Sequence, residues 1–243
     1  MKGLFAAFLC LVLVAGSASA TIIIDNFEEF HLRTDPIPGL GGGGVYVPPD
    51  ANPTTVIEAG LSPANVIGGV RKTTTANVLP GTQTVTTTIF DPLGAPVDHI
   101  LSLSANDGAQ GMWLIEYGVN AGGTAVGDLT NGGLSDAIFF TFESADHVAS
   151  VDLMVTNGGT GTVTVNKPTS GPGQLVFNYS DFAGVDFTNV GSLAFRVNGV
   201  VAGDYSISLI ETNNVPEPTS MAILAVGAIG LISRRRRRRS VQA

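Results

Sequence analysis

The side chains in this 243-residue chain that could do chemistry are three histidines, one tryptophan, four tyrosines and twenty carboxylates. His31, His99 and His147 stand far apart and in no His-Glu-x-x-His spacing, so no helix face presents two imidazoles to one metal. No Gly-x-Ser-x-Gly elbow exposes a serine nucleophile. The run Gly41–Gly44 lacks the Lys-Ser/Thr that follows a phosphate-cradling loop. The only cysteine, Cys10, lies in an apolar N-terminal stretch, which leaves the rest of the chain without a disulfide, a thiol nucleophile or a thiolate metal site. Two acids set a fixed distance apart could hydrolyse a glycoside, but with this many carboxylates the sequence singles out no pair. The segment Met112-Trp113-Leu114-Ile115-Glu116-Tyr117 puts Trp113, Ile115 and Tyr117 on one face of a strand. Two aromatic rings there could contact a carbohydrate. Ile115 between them favours instead a face buried in a core.

The elements that must position these side chains read as strands. Threonine and valine recur in runs of period two that end at Gly, Asn, Asp or Pro, and no long amphipathic helical pattern is evident. Strands are predicted at Thr21–Asn26, Asn65–Leu79, Gln83–Phe90, Asp98–Ser104, Gly111–Gly118, Ala137–Phe142, Val148–Thr156, Gly161–Asn166, Gln174–Tyr179, Val190–Val197 and Tyr205–Glu211. In the seventh, Val151, Leu153 and Val155 face one side while Asp152 and Met154 face the other. Asn131-Gly132-Gly133 and Asn157-Gly158-Gly159 supply residues that tolerate positive φ in turns. Many short strands with such punctuation predict an all-β fold, a β-sandwich or jelly roll over residues 21–212. Pro36–Pro53, with its glycine run, is predicted to be a long loop.

Both ends depart from this pattern. Residues 1–20 combine Lys2, an apolar run from Leu4 to Val14 and the small residues Ala18-Ser19-Ala20, the features of a helical signal peptide cut by signal peptidase after Ala20. At the other end, Val215-Pro216-Glu217-Pro218 precedes the apolar run Met221–Ile232 and six arginines, Arg234, Arg235, Arg236, Arg237, Arg238 and Arg239. As a helix the run is about 18 Å long. The hydrocarbon core of a bilayer is about 30 Å thick. A short transmembrane helix over 219–233 therefore spans only with snorkelling arginines and local thinning. The arginine cluster acts as a cytoplasmic stop. Between the two ends, residues 21–214 keep five basic residues against nineteen acidic ones, a net charge of about −14 where the whole chain has −8. A surface so acidic excludes nucleic acid as a partner.

The order of extended motif, short apolar span and arginine cluster resembles the PEP-CTERM sorting signal of exported bacterial proteins, within residues 213–243. The resemblance implies cleavage near Pro216-Glu217-Pro218 by an exosortase-type enzyme, transient membrane anchoring, and delivery to the cell surface or the extracellular space. Three further stretches, Ile24-Asp25-Asn26-Phe27-Glu28, Ile67-Gly68-Gly69-Val70-Arg71 and Gly127-Asp128-Leu129-Thr130-Asn131-Gly132-Gly133, resemble a domain common in such proteins and are similar to galactose-binding-like jelly rolls, which include many carbohydrate-binding modules. That likeness implies extracellular polysaccharide as a partner. It also implies a structural calcium near the terminal strands, where Asp25, Glu28 and Asp204 supply hard oxygen ligands. No other cofactor is expected. The expectation from the sequence is a non-enzymatic cell-surface or extracellular-matrix protein. The alternatives are a carbohydrate-binding module using Trp113 and Tyr117, or a hydrolase whose acids the sequence does not locate.

Overall fold

A computed structural model describes residues 21–29, 44–47, 53–79, 84–90, 99–158 and 161–215. Among these, thirteen strands build two sheets. One sheet holds β1 (Ile22–Asp25), β2 (Gly44–Val47), β5 (Val85–Phe90), β6 (Ile100–Ala105), β8 (Ala137–Ala145), β11 (Gly173–Asn178) and β13 (Asp204–Asn213). Its order is β11-β8-β13-β6-β5-β2, with β1 added to β13. The other sheet holds β3 (Thr54–Ala59), β4 (Val70–Asn77), β7 (Gln110–Gly118), β9 (Ser150–Asn157), β10 (Thr162–Pro168) and β12 (Val190–Val201), in the order β10-β9-β12-β7-β4-β3. All ladders are antiparallel. The fold is an all-β sandwich of the jelly-roll type.

The period-two pattern sets which side chains enter the core. Val151, Leu153 and Val155 of β9 are fully buried, and Trp113, Ile115 and Tyr117 of β7 are buried beside Leu193, Phe195 and Val197 of β12. Across the sandwich they meet Leu101 and Leu103 of β6, Ile138 and Phe140 of β8, and Tyr205 and Ile207 of β13. Phe140 packs edge-on to Phe195, and Trp113 edge-on to Tyr205. Among the described residues the core cluster runs from Ile24 to Ile210, so residues 21–215 carry a core of their own.

The Trp113 ring lies against bare backbone. A Cβ on Gly111 would come within 2.2 Å of the indole, and one on Gly199 within 2.8 Å. β7 ends at Gly118, where φ is +78° and a Cβ would lie 2.5 Å from the Gly191 carbonyl oxygen. Glycine there lets β7 and β12 close up while the chain turns into a left-handed conformation.

Three expectations are corrected. Pro36–Pro53 is not all loop, because β2 pairs Gly44–Val47 with β5. Thr54–Ala59 is a strand, β3, that the period-two pattern does not signal, because only Val56 in it is a buried apolar residue. The strand expected over Asn65–Leu79 begins only at Val70. Val66 makes an isolated bridge to Asp25, and the 3₁₀ turn Ile67–Gly69 intervenes with φ of +74° and +67° at Gly68 and Gly69. The signal helix over 1–20 and the short transmembrane helix over 219–233 lie outside the described residues. No described helix is long and apolar enough to cross a membrane. The chain divides between Asn213 and Asn214, where β13 ends.

Candidate functional site

Two of the stretches singled out in the sequence meet in space. Ile24-Asp25-Asn26-Phe27-Glu28 ends β1, and Ile67-Gly68-Gly69-Val70-Arg71 begins β4. Asp25 and Arg71 form an ion pair in which both side chains are fully buried. Arg71 Nη1 donates to Asp25 Oδ1 at 2.9 Å and Oδ2 at 2.8 Å. Its Nε donates to Glu58 Oε2 at 2.9 Å, and its Nη2 to the Glu29 carbonyl at 2.6 Å. Tyr117 Oη donates to Asp25 Oδ2 at 2.8 Å, and the Phe27 N–H to Asp25 Oδ1 at 2.8 Å.

The ladder explains the convergence. Glu58 of β3, Arg71 of β4 and Tyr117 of β7 are direct neighbours across one sheet, and Asp25 reaches them from the other. Phe27 holds a left-handed φ of 58° with its ring buried, and the Arg71 guanidinium sits 5.5 Å from the ring centre. A left-handed conformation costs a non-glycine residue about 1–2 kcal/mol. The Asp25 hydrogen bond and the cation–π contact offset that strain.

The electrostatics follow from burial. Loss of solvent pushes the Asp25 carboxyl above its ordinary value, although the Arg71 charge, the Phe27 N–H and the Tyr117 hydroxyl all pull it down. Burial lowers the Arg71 value, but Asp25 and Glu58 outweigh it and hold the guanidinium firmly cationic. Burial, with Asp25 beside it, keeps the Tyr117 phenol protonated. The cluster is enclosed and saturated with partners. It joins the sheets and offers no surface to a substrate.

Trp113 and Tyr117 are therefore core residues, both with zero exposure, and form no outward plane for a sugar. Trp113 Nε1 donates to the Thr86 carbonyl at 3.1 Å. The calcium expectation is also corrected. Asp25 is committed to Arg71 and Tyr117. Asp204, on β13, accepts from Ser104 Oγ and lies six residues from Ile210, the register partner of Asp25. Six residues of strand span about 20 Å, too far for a shared ion. Glu28 is only partly buried, and among the described residues no group of three His, Cys, Asp or Glu side chains could hold a metal. His147 is half-exposed with its Nδ1 3.0 Å from Asp146, and His99 precedes β6; His31 lies outside the described residues. The third stretch forms a turn whose Leu129 is buried in the core and whose exposed Asp128 accepts from the Thr130 N–H and hydroxyl and the Gly132 N–H.

A second polar cluster, not singled out in the sequence, lies on the outer face of the β3–β10 sheet. Asp152 Oδ2 accepts from Arg196 Nη2 at 2.6 Å and Nε at 2.9 Å, and from Asn198 Nδ2 at 3.0 Å, while Asn166 donates to its other oxygen. Burial raises the Asp152 carboxyl, but these hydrogen bonds prevail and leave it below its ordinary value. Its signal was present in the sequence: Asp152 has outward parity between buried Val151 and Leu153. The same parity argument run in reverse could have found Arg71, a lone charge in phase with the inward Thr73 and Thr75.

Val215 is the last described residue. Pro216, Glu217, Pro218 and Arg234 to Arg239 lie outside the described residues, as do Ala18 and Ala20. The folded part is thus a jelly-roll sandwich whose last strand runs straight into a sorting segment, the layout of an exported, sorted protein. Residues 214–238 match the PEP-CTERM protein-sorting motif, and that motif marks the chain for export with transient membrane anchoring.

Among solved structures, the chain is similar to the family 11 carbohydrate-binding module from Clostridium thermocellum in complex with a β-1,3-1,4-mixed-linked tetrasaccharide. Identity is 15%, over 83% of this chain and 99% of that one, with a TM-score of 0.37. It is also similar to the solution structure of CtCBM11, with 16% identity over 83% and 99% and a TM-score of 0.43. The non-crystalline-cellulose-specific module CBM28 gives 12% identity over 53% and 80%, with a TM-score of 0.34. No curated protein matches the chain.

Proposed function

We propose that this chain is a non-enzymatic surface or matrix protein, in which an acidic β-sandwich is exported, held briefly in the membrane by its C-terminal segment and then processed by an exosortase-type enzyme. The observation that carries this reading is the sorting motif at 214–238. Two features support it. Only seven residues, 214–220, separate the end of β13 from the apolar run, so the sorting segment follows the last strand of the sandwich directly. Among the described residues the Asp25–Arg71 cluster is buried with its polar groups partnered, which suits a scaffold and not a reaction site.

In this reading signal peptidase releases the N-terminus at Thr21. Cleavage near Pro216-Glu217-Pro218 removes the apolar run and arginines and leaves the domain with its full negative charge. The test replaces Pro216, Glu217 and Pro218 by alanine and follows the chain by mass in the cell envelope. The variant is expected to keep its C-terminal peptide and stay in the membrane fraction. A C-terminal peptide lost as in the unaltered chain, with the same surface display, overturns the reading.

A further inference from the structure

The sandwich manages its sheet edges unequally. On one side β2 and β3, the outermost strands of the two sheets, lie against each other. On the other side β10 is the edge of its sheet, and among the described residues no strand pairs with its outer side. An edge strand carries a row of free backbone donors and acceptors, and soluble proteins usually defend it with outward charge, an interior proline or a bulge.

β10 has none of these over Thr162-Val163-Thr164-Val165-Asn166. Its register with β9 is unbroken, and its proline, Pro168, comes at the end. Its one charge, Lys167, is turned aside to the Val176 carbonyl at 2.8 Å and Asp181 Oδ2 at 2.7 Å. Thr162, Thr164 and Asn166 are exposed, and Val163 and Val165 are half-buried at the rim of the core. Within a domain of net charge about −14, this strand holds no carboxylate.

We propose that the outer edge of β10 is a self-association surface, on which a second copy of this chain adds its own β10 antiparallel about a two-fold axis through Thr164. The sequence is self-complementary in that arrangement. Thr164 faces the second copy's Thr164, Val163 faces Val165, and Thr162 faces Asn166. Valines then meet valines on the core side, hydroxyl and amide groups meet on the outer side, and no like charges are opposed. Two sheets become one continuous sheet of twelve strands across an isologous interface. A second copy is the occupant that this symmetry favours. A strand without carboxylates also lets two strongly acidic bodies approach at reduced electrostatic cost. A single strand pair covers less than the roughly 1,200 Å² of a standard interface. The expected association is therefore weak and transient, and many copies displayed on one surface would strengthen it.

The test uses residues 21–215, which carry their own core and no cysteine. Sedimentation should show a concentration-dependent dimer. Thr164→Lys sets two ammonium groups face to face at an exposed position, and should raise the dimer dissociation constant at least about tenfold with the urea midpoint unchanged. Thr164→Cys places two sulfurs on residues about 4.5–5.5 Å apart between Cα atoms, within disulfide range. It should give a covalent dimer under mild oxidation. Thr162→Cys alone should not, because its own counterpart lies about 13 Å away, but mixed with Asn166→Cys it should cross-link. A monomer at all concentrations, a dimer that survives Thr164→Lys, or equal cross-linking of Thr162→Cys and Thr164→Cys each overturns the proposal.

Discussion

Replacing Arg71 by methionine tests whether the buried ion cluster holds the two sheets together. Methionine keeps most of the side-chain length and removes the charge. The change deletes two hydrogen bonds to Asp25, one to Glu58 and one to the Glu29 carbonyl, and leaves the fully buried Asp25 carboxylate without a counter-ion. Breaking one side of a buried pair costs about 3–5 kcal/mol, because the remaining charge is desolvated and uncompensated. Whole domains are stable by only about 5–15 kcal/mol, so the loss should be plain in equilibrium urea unfolding of residues 21–215. Trp113 is the only tryptophan and is fully buried, so its fluorescence reports the core directly. Adding Asp25→Asn removes the orphaned charge while keeping an acceptor for the Phe27 N–H and the Tyr117 hydroxyl. That second change should return about 1–3 kcal/mol, the coupling expected of residues in direct contact. A loss below about 1 kcal/mol for Arg71→Met, or a double variant no more stable than the single one, would refute the reasoning.

Trp113→Ala should destabilise the domain by about 3–5 kcal/mol, because it empties a site shaped by Gly111 and Gly199. Any polysaccharide affinity, measured on a glycan array and normalised to folded protein, should be unchanged by it; a selective loss of binding with normal urea unfolding would contradict the burial of the indole. The outer cluster predicts a pH response. The Asp152 carboxyl is lowered in the folded state, so its contribution is present above the ordinary value of 3.8 and is lost as pH falls through the lowered one. Urea midpoints taken across that acid range should fall less steeply for Asp152→Asn than for the parent, and equal slopes would remove Asp152 as a source of acid sensitivity.

Fold class and most of the strands were legible because their driving force is local. Val151, Leu153 and Val155 alternate with polar neighbours, and a pleated strand must put them on one face. β2 and β3 were not legible because their formation depends on partners distant in sequence. Gly44–Val47 is held by β5, and Thr54–Ala59 by β4. The short motifs were visible as words but not as contacts. Nothing within Ile24–Glu28 or Ile67–Arg71 says that Asp25 will meet Arg71 across 46 residues of chain. Their composition suggested oxygen ligands for a cation, and the fold supplies the cation as a guanidinium. Trp113 shows the same limit. Ile115 between two aromatics pointed to a core face, but the decisive facts are the bare backbones of Gly111 and Gly199, the second of them on another strand.

The place where the sorting segment joins the sandwich has a mechanical consequence. β13 is not an edge strand: it is paired with β8 on one side and with β6 and then β1 on the other, over most of its ten residues. β1 itself is only four residues long, and its single ladder to β13 has little stability alone. Asp25, at its end, locks it to Arg71, and detaching β1 would leave that buried guanidinium short of a counter-ion. Residues next to the two segments expected to be cut away, Ile22 and Thr212, are thereby register partners in one ladder. A domain held through its C-terminus is loaded on a strand flanked by partners on both sides, whereas a tether on β10 or β11 would load a strand paired on one side only. The fold therefore joins the sorting segment to a strand paired on both sides, and the Asp25–Arg71 pair fastens β1, one of its partners.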